Sequence, residues 1–302
     1  MNAATRTRPL SHASPLPPPV RSRSRRFTAL MLLPSTLWFV LLLLMPLVII
    51  LVFSFGQRST VGGYAGGFTL DNYLNLGSRA AAFGNTLVLA PLGTLVCLLA
   101  AYPLAYFLAV KVQRNRSLLL TLVIVPFWTS FLIRTYAWIF ILSGKGIPAL
   151  LASLGLEGVR LINTPWAVLI GIVYGYLPLM VFPIYVSLEK LDKRLLEASA
   201  DLGASALQSF VRVTLPLSAP GIITGVMLVF ILLMGEFLIP AILGGGKVFF
   251  VGNALVDLFL QSRNWPFGSA LAMTLVAMML VIIGVYLKLV ARVGGRPADG
   301  GL

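Results

Sequence analysis

Six long apolar runs dominate the pattern of hydrophobic and polar positions along the chain, and short polar segments separate them. A helix needs about 20 apolar residues to cross the hydrocarbon core of a bilayer. Each run is long enough, so we predict an all-α membrane protein with six spans, at residues 27–55, 82–110, 118–142, 164–187, 217–243 and 269–291. Prolines within the runs predict kinked helices, because packed neighbours can satisfy the carbonyl groups that a proline leaves free.

The two ends of the chain differ from the apolar runs. Residues 1–26 are rich in proline, serine and arginine, and this composition predicts a disordered tail. The run that follows is too long for a signal peptide and lacks a clear cleavage site, so we predict an uncleaved first span. The expected organisation is a tail at 1–26, a first span with an outer loop at 27–81, a helical core at 82–291 and a second tail at 292–302.

Composition narrows the function classes. The chain is 58% hydrophobic and 11% charged, whereas soluble domains are about a quarter charged, so a bilayer is the expected surrounding. The net charge of +14 comes from short basic clusters between the runs, which favours anionic lipid over nucleic acid as the partner. Cys97 is the only cysteine and His12 the only histidine, so a disulfide, a thiolate metal site and histidine catalysis are excluded. We predict no catalytic residue, no metal site and no cofactor.

The distribution of lysine and arginine predicts the orientation of the spans. Sixteen of these residues lie in segments on one side of the predicted spans and six lie on the other side. Cytoplasmic segments carry the excess of positive residues in membrane proteins. Both termini are therefore expected in the cytoplasm, which agrees with the even number of spans.

The longest cytoplasmic loop, near 189–216, has the pattern of two short amphipathic helices joined at Gly203. Asp192 can cap the first helix, which is expected to begin at Lys193. A capping box of Ser205 and Gln208 is expected to start the second helix. The pair Leu215-Pro216 is expected to end it. The pattern alone leaves two alternatives: a knob that fits a partner, or an elbow that lies on the bilayer surface.

Within this loop a longer motif is present. The loop contains Glu197-Ala198-Ser199-Ala200-Asp201-Leu202-Gly203-Ala204, then Phe210, Leu215-Pro216-Leu217 and Pro220-Gly221-Ile222. This motif resembles the EAA loop of ABC importer permeases, with Ser199 in place of the usual second alanine and Leu207 where an aromatic residue is common. The resemblance implies the type I importer permease (MetI-like) fold, with residues 82–291 as the permease core. It also implies a coupling helix docked in a groove of an ATPase, with coupling residues Glu197, Ala198, Asp201, Gly203, Ala204, Phe210, Leu215 and Pro216.

The same resemblance implies the partners and the location, the bacterial inner membrane. A dimer of ABC ATPase subunits hydrolyses ATP, because this chain has no phosphate-binding glycine loop and is expected to be non-catalytic. A second permease, either a homologous sister chain or another copy, completes the pore, and a periplasmic or extracellular solute-binding protein delivers the solute. The alternative, an ATP-independent secondary transporter, predicts inverted repeats with paired broken helices, and none is evident in the sequence.

Three further stretches are similar to permeases of the spermidine and putrescine type. They are Pro126 to Trp138, Gly235 to Pro240 with Leu243-Gly244-Gly245, and Trp265-Pro266-Phe267-Gly268. This similarity implies a polyamine as the solute. Related permeases of the same branch carry other small organic solutes or metal complexes, and these are the alternative.

Two ionisable residues lie within predicted spans, where such groups are costly and usually face a bundle interior or a cavity. Arg134 and Glu236 are expected at similar depth in the outer half. We hypothesise that they pair or share a polar gate region; the alternative is that Arg134 reaches the outer surface and Glu236 caps a local kink. Trp128 and Tyr136 are further candidates for the translocation path, because aromatic faces attract alkylammonium groups. Helix packing and interfacial anchoring are the alternative for these rings.

Overall fold

The computed structural model describes residues 23–112 and 114–293, and these are mostly helical. Residues 1–22 of the predicted amino-terminal tail, with His12, and the predicted carboxy-terminal tail beyond residue 293 lie outside the described residues. The α-helices of the described part are α1 (Arg23–Ser54), α2 (Asp71–Leu74), α3 (Ala80–Tyr106), α4 (Arg116–Trp128), α5 (Phe131–Leu142), α6 (Ile147–Ser153), α7 (Pro165–Glu189), α8 (Lys193–Asp201), α9 (Ala206–Ser209), α10 (Leu215–Met234), α11 (Leu238–Leu243), α12 (Val251–Val256) and α13 (Trp265–Val293).

Shorter elements connect and extend these helices. A 3₁₀ turn at Asn75–Arg79 leads into α3, and π-helical turns at Phe107–Lys111, Phe210–Thr214 and Asp257–Gln261 adjoin α3, α10 and α12. Strands β1 (Gln57–Arg58) and β2 (Tyr64–Ala65) form a small antiparallel hairpin, with Gln57 opposite Ala65 and Arg58 opposite Tyr64. The hairpin follows α1 directly, so it lies in the loop that the charge distribution assigns to the outer side.

Six helical segments of the described chain are long and apolar enough to cross a membrane. They are Leu30–Ser54, Asp71–Lys111, Phe131–Ser153, Pro165–Glu189, Ala206–Met234 and Trp265–Ala291. The prediction of six apolar membrane helices is therefore confirmed. The chain divides into two units, residues 1–49 and 50–302. The described part of the first unit is the amino-terminal portion of α1, and the second unit contains every other element.

The third apolar run, predicted as one span over 118–142, is interrupted in the structure. Helix α4 ends at Trp128, and Thr129 takes an extended conformation with ψ of 152° before α5 begins at Phe131. The Thr129 hydroxyl donates a 2.7 Å hydrogen bond to the carbonyl oxygen of Pro126 and so satisfies a group at the helix end. Hydropathy is high on both sides of the break, so the predicted single span is wrong although the apolar run is real.

Helices α3, α7 and α10 pack together at the centre of the second unit. Glycines lie where these helices approach closely, as is usual for membrane helix interfaces. A Cβ atom on Gly221 of α10 would lie 2.6 Å from the Cβ of Ser187 and 3.0 Å from the Cα of Ile184, both in α7. The hydroxyl groups of Tyr102 in α3 and Ser218 in α10 are 2.9 Å apart, and this hydrogen bond joins α3 to α10.

We predict that Gly221→Ala destabilises the packing of α7 against α10. The added methyl group meets the backbone of α7, and overpacking of this kind costs about 1–3 kcal/mol. The measurement is the thermal unfolding temperature of the purified chain in detergent. Gly284→Ala is the matched control, because Gly284 is a helical glycine of α13 with no atom within 4 Å of an added Cβ. Equal unfolding temperatures for the two variants would contradict the prediction.

Candidate functional site

The loop predicted to be cytoplasmic forms a helical knob, residues 193–209, whose first helix is built as the capping pattern predicts. Helix α8 begins at Lys193, and the Asp192 carboxylate accepts a 3.0 Å hydrogen bond from the backbone N–H of Arg194. The helix ends at Asp201. The side-chain cap satisfies an amide that has no partner within the helix, so Asp192 determines where the knob begins.

A glycine motif ends α8. The N–H of Gly203 bonds the carbonyl of Ala200 at 2.9 Å and the N–H of Ala204 bonds the carbonyl of Ser199 at 3.0 Å, which is a Schellman motif. Gly203 has φ of +78°, and no atom lies within 4 Å of a Cβ added there. The turn itself therefore requires glycine. Crowding within this chain does not require glycine there, because no neighbouring atom would meet a side chain. The space above Gly203 is therefore open to a partner.

The second helix of the knob is shorter than predicted and does not end at the Leu-Pro pair. The capping box is present, because Gln208 N–H donates to Ser205 Oγ and Ser205 N–H donates to Gln208 Oε1. After α9 the chain continues through the π-helical turn Phe210–Thr214 into α10 without a break. Leu215 and Pro216 follow the π-helical turn inside this continuous helical stretch, so the proline does not stop the helix. The predicted stop is therefore wrong, and the knob is continuous with a membrane helix.

The predicted coupling residues fall into two groups in the structure. Exposed positions on the knob are Glu197, Ala198, Asp201 and Gly203, with Ala204 half-buried beside them. Phe210 instead packs edge-on against Tyr102 and Tyr106 of α3, with ring centroids 5.6 and 6.0 Å apart. Leu215 and Pro216 are exposed in the first turn of α10. Phe210 thus ties the knob to the membrane core and does not lie on its outer face.

Exposed leucines complete the surface of the knob, and Leu202 and Leu207 are the most exposed of them. Leu202 is 88% exposed and Leu207 is 71% exposed, and both flank the Gly203 turn in sequence. They were not among the predicted coupling residues. Their signal in the sequence is an apolar side chain near a helix-ending glycine in a loop between two predicted spans, where water would favour a polar side chain.

At the end of α10 that is farther from the knob, a buried carboxylate stabilises an interruption of the fifth apolar run. Helix α10 ends at Met234, and Glu236 Oε1 accepts backbone hydrogen bonds from Phe237 at 3.0 Å, Leu238 at 2.7 Å and Ile239 at 3.2 Å. These are the free amides at the start of α11. The prediction of one span over 217–243 is wrong, and Glu236 caps a local break, as the alternative interpretation expected.

Neighbouring elements complete this cap. The Tyr176 hydroxyl of α7 donates a hydrogen bond to the other Glu236 oxygen, Oε2. Asn253 of α12 donates to the carbonyl of Phe237 at 2.6 Å, and a Cβ on Gly252 would lie 2.8 Å from the carbonyl oxygen of Gly235. Helix α12 therefore packs directly on the backbone at the break between α10 and α11. The Glu236 carboxylate has a structural role, because both of its oxygens accept hydrogen bonds there.

Arg134 lies in an aromatic enclosure. The residue is only 9% exposed, and its guanidinium carbon lies 5.6 Å from the ring centroid of Phe127, 5.5 Å from that of Phe131 and 5.9 Å from that of Tyr174. Its Nε is buried and has no hydrogen-bond partner among the described residues. Arg134 is therefore largely enclosed by aromatic rings, and cation–π attraction stabilises its charge.

Arg134 and Glu236 form no ion pair in the described part of the chain. They lie instead at the two ends of a short series of contacts. The Arg134 guanidinium faces Phe131, the Phe131 ring contacts Tyr176 edge-on at 6.0 Å, and Tyr176 bonds Glu236. The series links α5, α7 and the α10–α11 break. The other two path candidates, Trp128 and Tyr136, are exposed on α4 and α5 and make no ring contact with a described aromatic residue.

We predict that Glu236→Ala lowers the thermal unfolding temperature of the purified chain more than Glu236→Gln does. The alanine variant leaves three amides without an acceptor, whereas the glutamine carbonyl still accepts from part of them; hydrogen bonds to a charged group contribute about 1.5–3 kcal/mol. Glu157→Ala is the control, because Glu157 is exposed. An unfolding temperature of Glu236→Ala equal to that of the control would show that the cap contributes nothing.

Comparisons with known proteins place this geometry in a family. Residues 101–294 match the family described as binding-protein-dependent transport system inner membrane component. The chain is 44% identical over 256 residues to the spermidine/putrescine transport system permease protein PotB of Haemophilus influenzae, covering 83% of this chain and 90% of that protein. It is 44% identical over 254 residues to PotB of Escherichia coli K12, covering 82% and 92% of the two chains.

A solved structure has the same fold. A chain from the crystal structure of a bacterial ABC transporter involved in the import of the acidic polysaccharide alginate superposes with a TM-score of 0.70 at 19% identity, covering 89% of this chain and 96% of that chain. This confirms the importer permease fold that the EAA motif implies. The sequence matches extend over most of the chain. The chain therefore belongs to the family of inner membrane components of binding-protein-dependent transport systems.

Proposed function

We propose that this chain is one of two permease subunits in an ATP-driven importer of polyamines, and that a separate ATPase drives it through the knob. The observation that carries the proposal is the knob itself. It is capped at both ends of α8, it exposes Glu197, Asp201 and several leucines, and it leaves open space above Gly203. An exposed apolar and acidic surface of this kind is typical of a site that binds another protein.

The polyamine as solute is supported by the relatives. The two PotB proteins are named as spermidine/putrescine permeases, and their 44% identity covers more than four fifths of this chain. The solute is a chain of ammonium groups and methylenes, which carboxylates and aromatic faces bind well. Trp128 and Tyr136 are the exposed aromatic faces among the path candidates, whereas the buried Arg134 and Glu236 hold helices in place.

The geometry gives a direct route from the knob to the membrane. The π-helical turn Phe210–Thr214 continues into α10, so a displacement of the knob moves the inner end of α10 as one rod. Phe210 contacts two tyrosines of α3, which passes the same displacement to a second helix. ATP-driven closure of two ATPase subunits would thus change the arrangement of α3 and α10 and alternate access to the pore.

The remaining partners follow from the half-pore architecture and the orientation. A second permease supplies the other half of the pore, and a periplasmic solute-binding protein delivers the solute to the outer loops. Both termini and the knob lie in the cytoplasm, since the excess of lysine and arginine is on that side. The complex is located in the bacterial inner membrane.

We predict that Gly203→Leu reduces ATP-dependent polyamine uptake at least tenfold and reduces co-purification of the ATPase. The leucine side chain occupies the space where the partner approaches and strains the left-handed turn. The measurement is the uptake of labelled spermidine into proteoliposomes that contain the complete transporter, with and without ATP. Uptake that proceeds without any ATPase would contradict the proposed function and favour secondary transport.

Gly155→Leu separates docking from backbone strain. Gly155 has φ of +87° and an equally open surrounding, but it lies in a loop assigned to the outer side. It therefore carries the same conformational cost without facing an ATPase. Equal losses of uptake in the two variants would show that Gly203 matters only for folding.

A further inference from the structure

A cavity of about 580 Å³ lies beside the outer hairpin, residues 237–261, which consists of α11, the following loop, α12 and its π-helical turn. Its lining residues include two phenylalanines, Phe237 and Phe249. They also include two polar side chains at the carboxy-terminal end of the hairpin, Asp257 and Gln261. The cavity belongs to neither the knob nor the Arg134 enclosure. Lys247 and Arg263, next to it in sequence, lie in loops assigned to the outer side, where a binding protein would release its solute.

Asp257 provides a negative charge in this cavity. Its Oδ2 lies 3.0 Å from Nη2 of Arg79, the last residue of the 3₁₀ turn Asn75–Arg79, and each side chain is 30% exposed. Its other oxygen, Oδ1, has no hydrogen bond within the described residues. Partly exposed ion pairs contribute little to stability, because water solvates both ions well when they separate. Another cation can therefore replace Arg79 at small cost.

The rest of the lining suits a linear alkylammonium. An ammonium group donates to a carboxylate, and its methylenes pack on aromatic faces. Phe237 and Phe249 supply apolar rings, and the exposed Gln261 amide supplies a polar group. Asn253 also lines the cavity, but its amide is already bonded to Phe237 O and Phe250 N, so it shapes the wall. The chemistry selects a cation with apolar length over a simple metal ion.

We propose that this cavity is an outer loading subsite, in which the Asp257 carboxylate binds one ammonium group of the incoming solute. Until the solute arrives, Arg79 forms an ion pair with that carboxylate. The guanidinium keeps the carboxylate neutralised while the subsite is empty. The ammonium group of the solute then displaces it, and the chain of methylenes lies along Phe237 and Phe249. The inference rests on the proposed function, since it requires a cationic solute.

The test compares the two members of the ion pair in the complete transporter, reconstituted with ATPase, sister permease and binding protein. Asp257→Asn removes the counter-ion at constant shape, and Arg79→Gln removes the internal competitor. The measurement is the initial rate of labelled spermidine uptake at subsaturating loaded binding protein. We expect Asp257→Asn to reduce the rate at least tenfold, Arg79→Gln to raise it about threefold, and the double variant to behave as Asp257→Asn. Glu157→Gln, an exposed acidic position outside the cavity, is expected to match the wild type.

Three results would overturn the subsite. Similar losses of uptake in Asp257→Asn and Arg79→Gln would assign the pair to folding. Loss of sister-permease co-purification in Asp257→Asn would assign Asp257 to the subunit interface, and weaker binding of the loaded binding protein would assign it to docking. Failure of the wild-type transporter to take up spermidine would instead contradict the proposed function, so the two failures are distinguishable.

Discussion

The half of this permease opposite the knob depends on one carboxylate, which accepts the hydrogen bonds of a broken helix. Hydrocarbon offers no water to a free backbone amide, so an interruption within a span persists only where protein groups replace the missing hydrogen bonds. Glu236 does this for three successive amides, and Tyr176 of α7 holds its second oxygen. Because the cap is complete, α11 can leave the direction of α10 and turn back through α12.

The elements around this cap depend on it in turn. Asn253 bonds the carbonyl of Phe237, and Gly252 permits α12 to approach the broken backbone. From there the π-helical turn presents Asp257 to Arg79. At its other end, α10 is continuous with the knob. One helix thus joins the surface proposed to contact an ATPase to the break that organises the hairpin 237–261, and it would give the proposed ATP-driven motion a short mechanical path.

Local sequence signals predicted much of the structure of the knob. Asp192, Gly203 and the Ser205–Gln208 box act on their own neighbours, so their roles can be inferred from spacing alone. The Leu-Pro pair misled the prediction, because local sequence does not show whether a helix stops before a proline or continues past it through a π-helical turn. The apolar runs predicted six membrane helices because crossing a bilayer depends on length and hydropathy.

The half opposite the knob was less predictable for a physical reason. Hydropathy does not detect a backbone break at Thr129 or Gly235, since the flanking residues stay apolar. The contact of Arg79 with Asp257 joins residues 178 positions apart, and the aromatic enclosure of Arg134 draws on three helices. The sequence placed Arg134 and Glu236 near one region, but only packing showed that two rings stand between them.

Amide hydrogen exchange of the wild-type chain in lipid nanodiscs tests the central claim most directly. If the Glu236 carboxylate holds the break, the amides of Phe237, Leu238 and Ile239 exchange as slowly as those in the centre of α10. Exchange of these three amides at the rate of an exposed loop would contradict the account, because the outer hairpin would then lack the cap on which it depends.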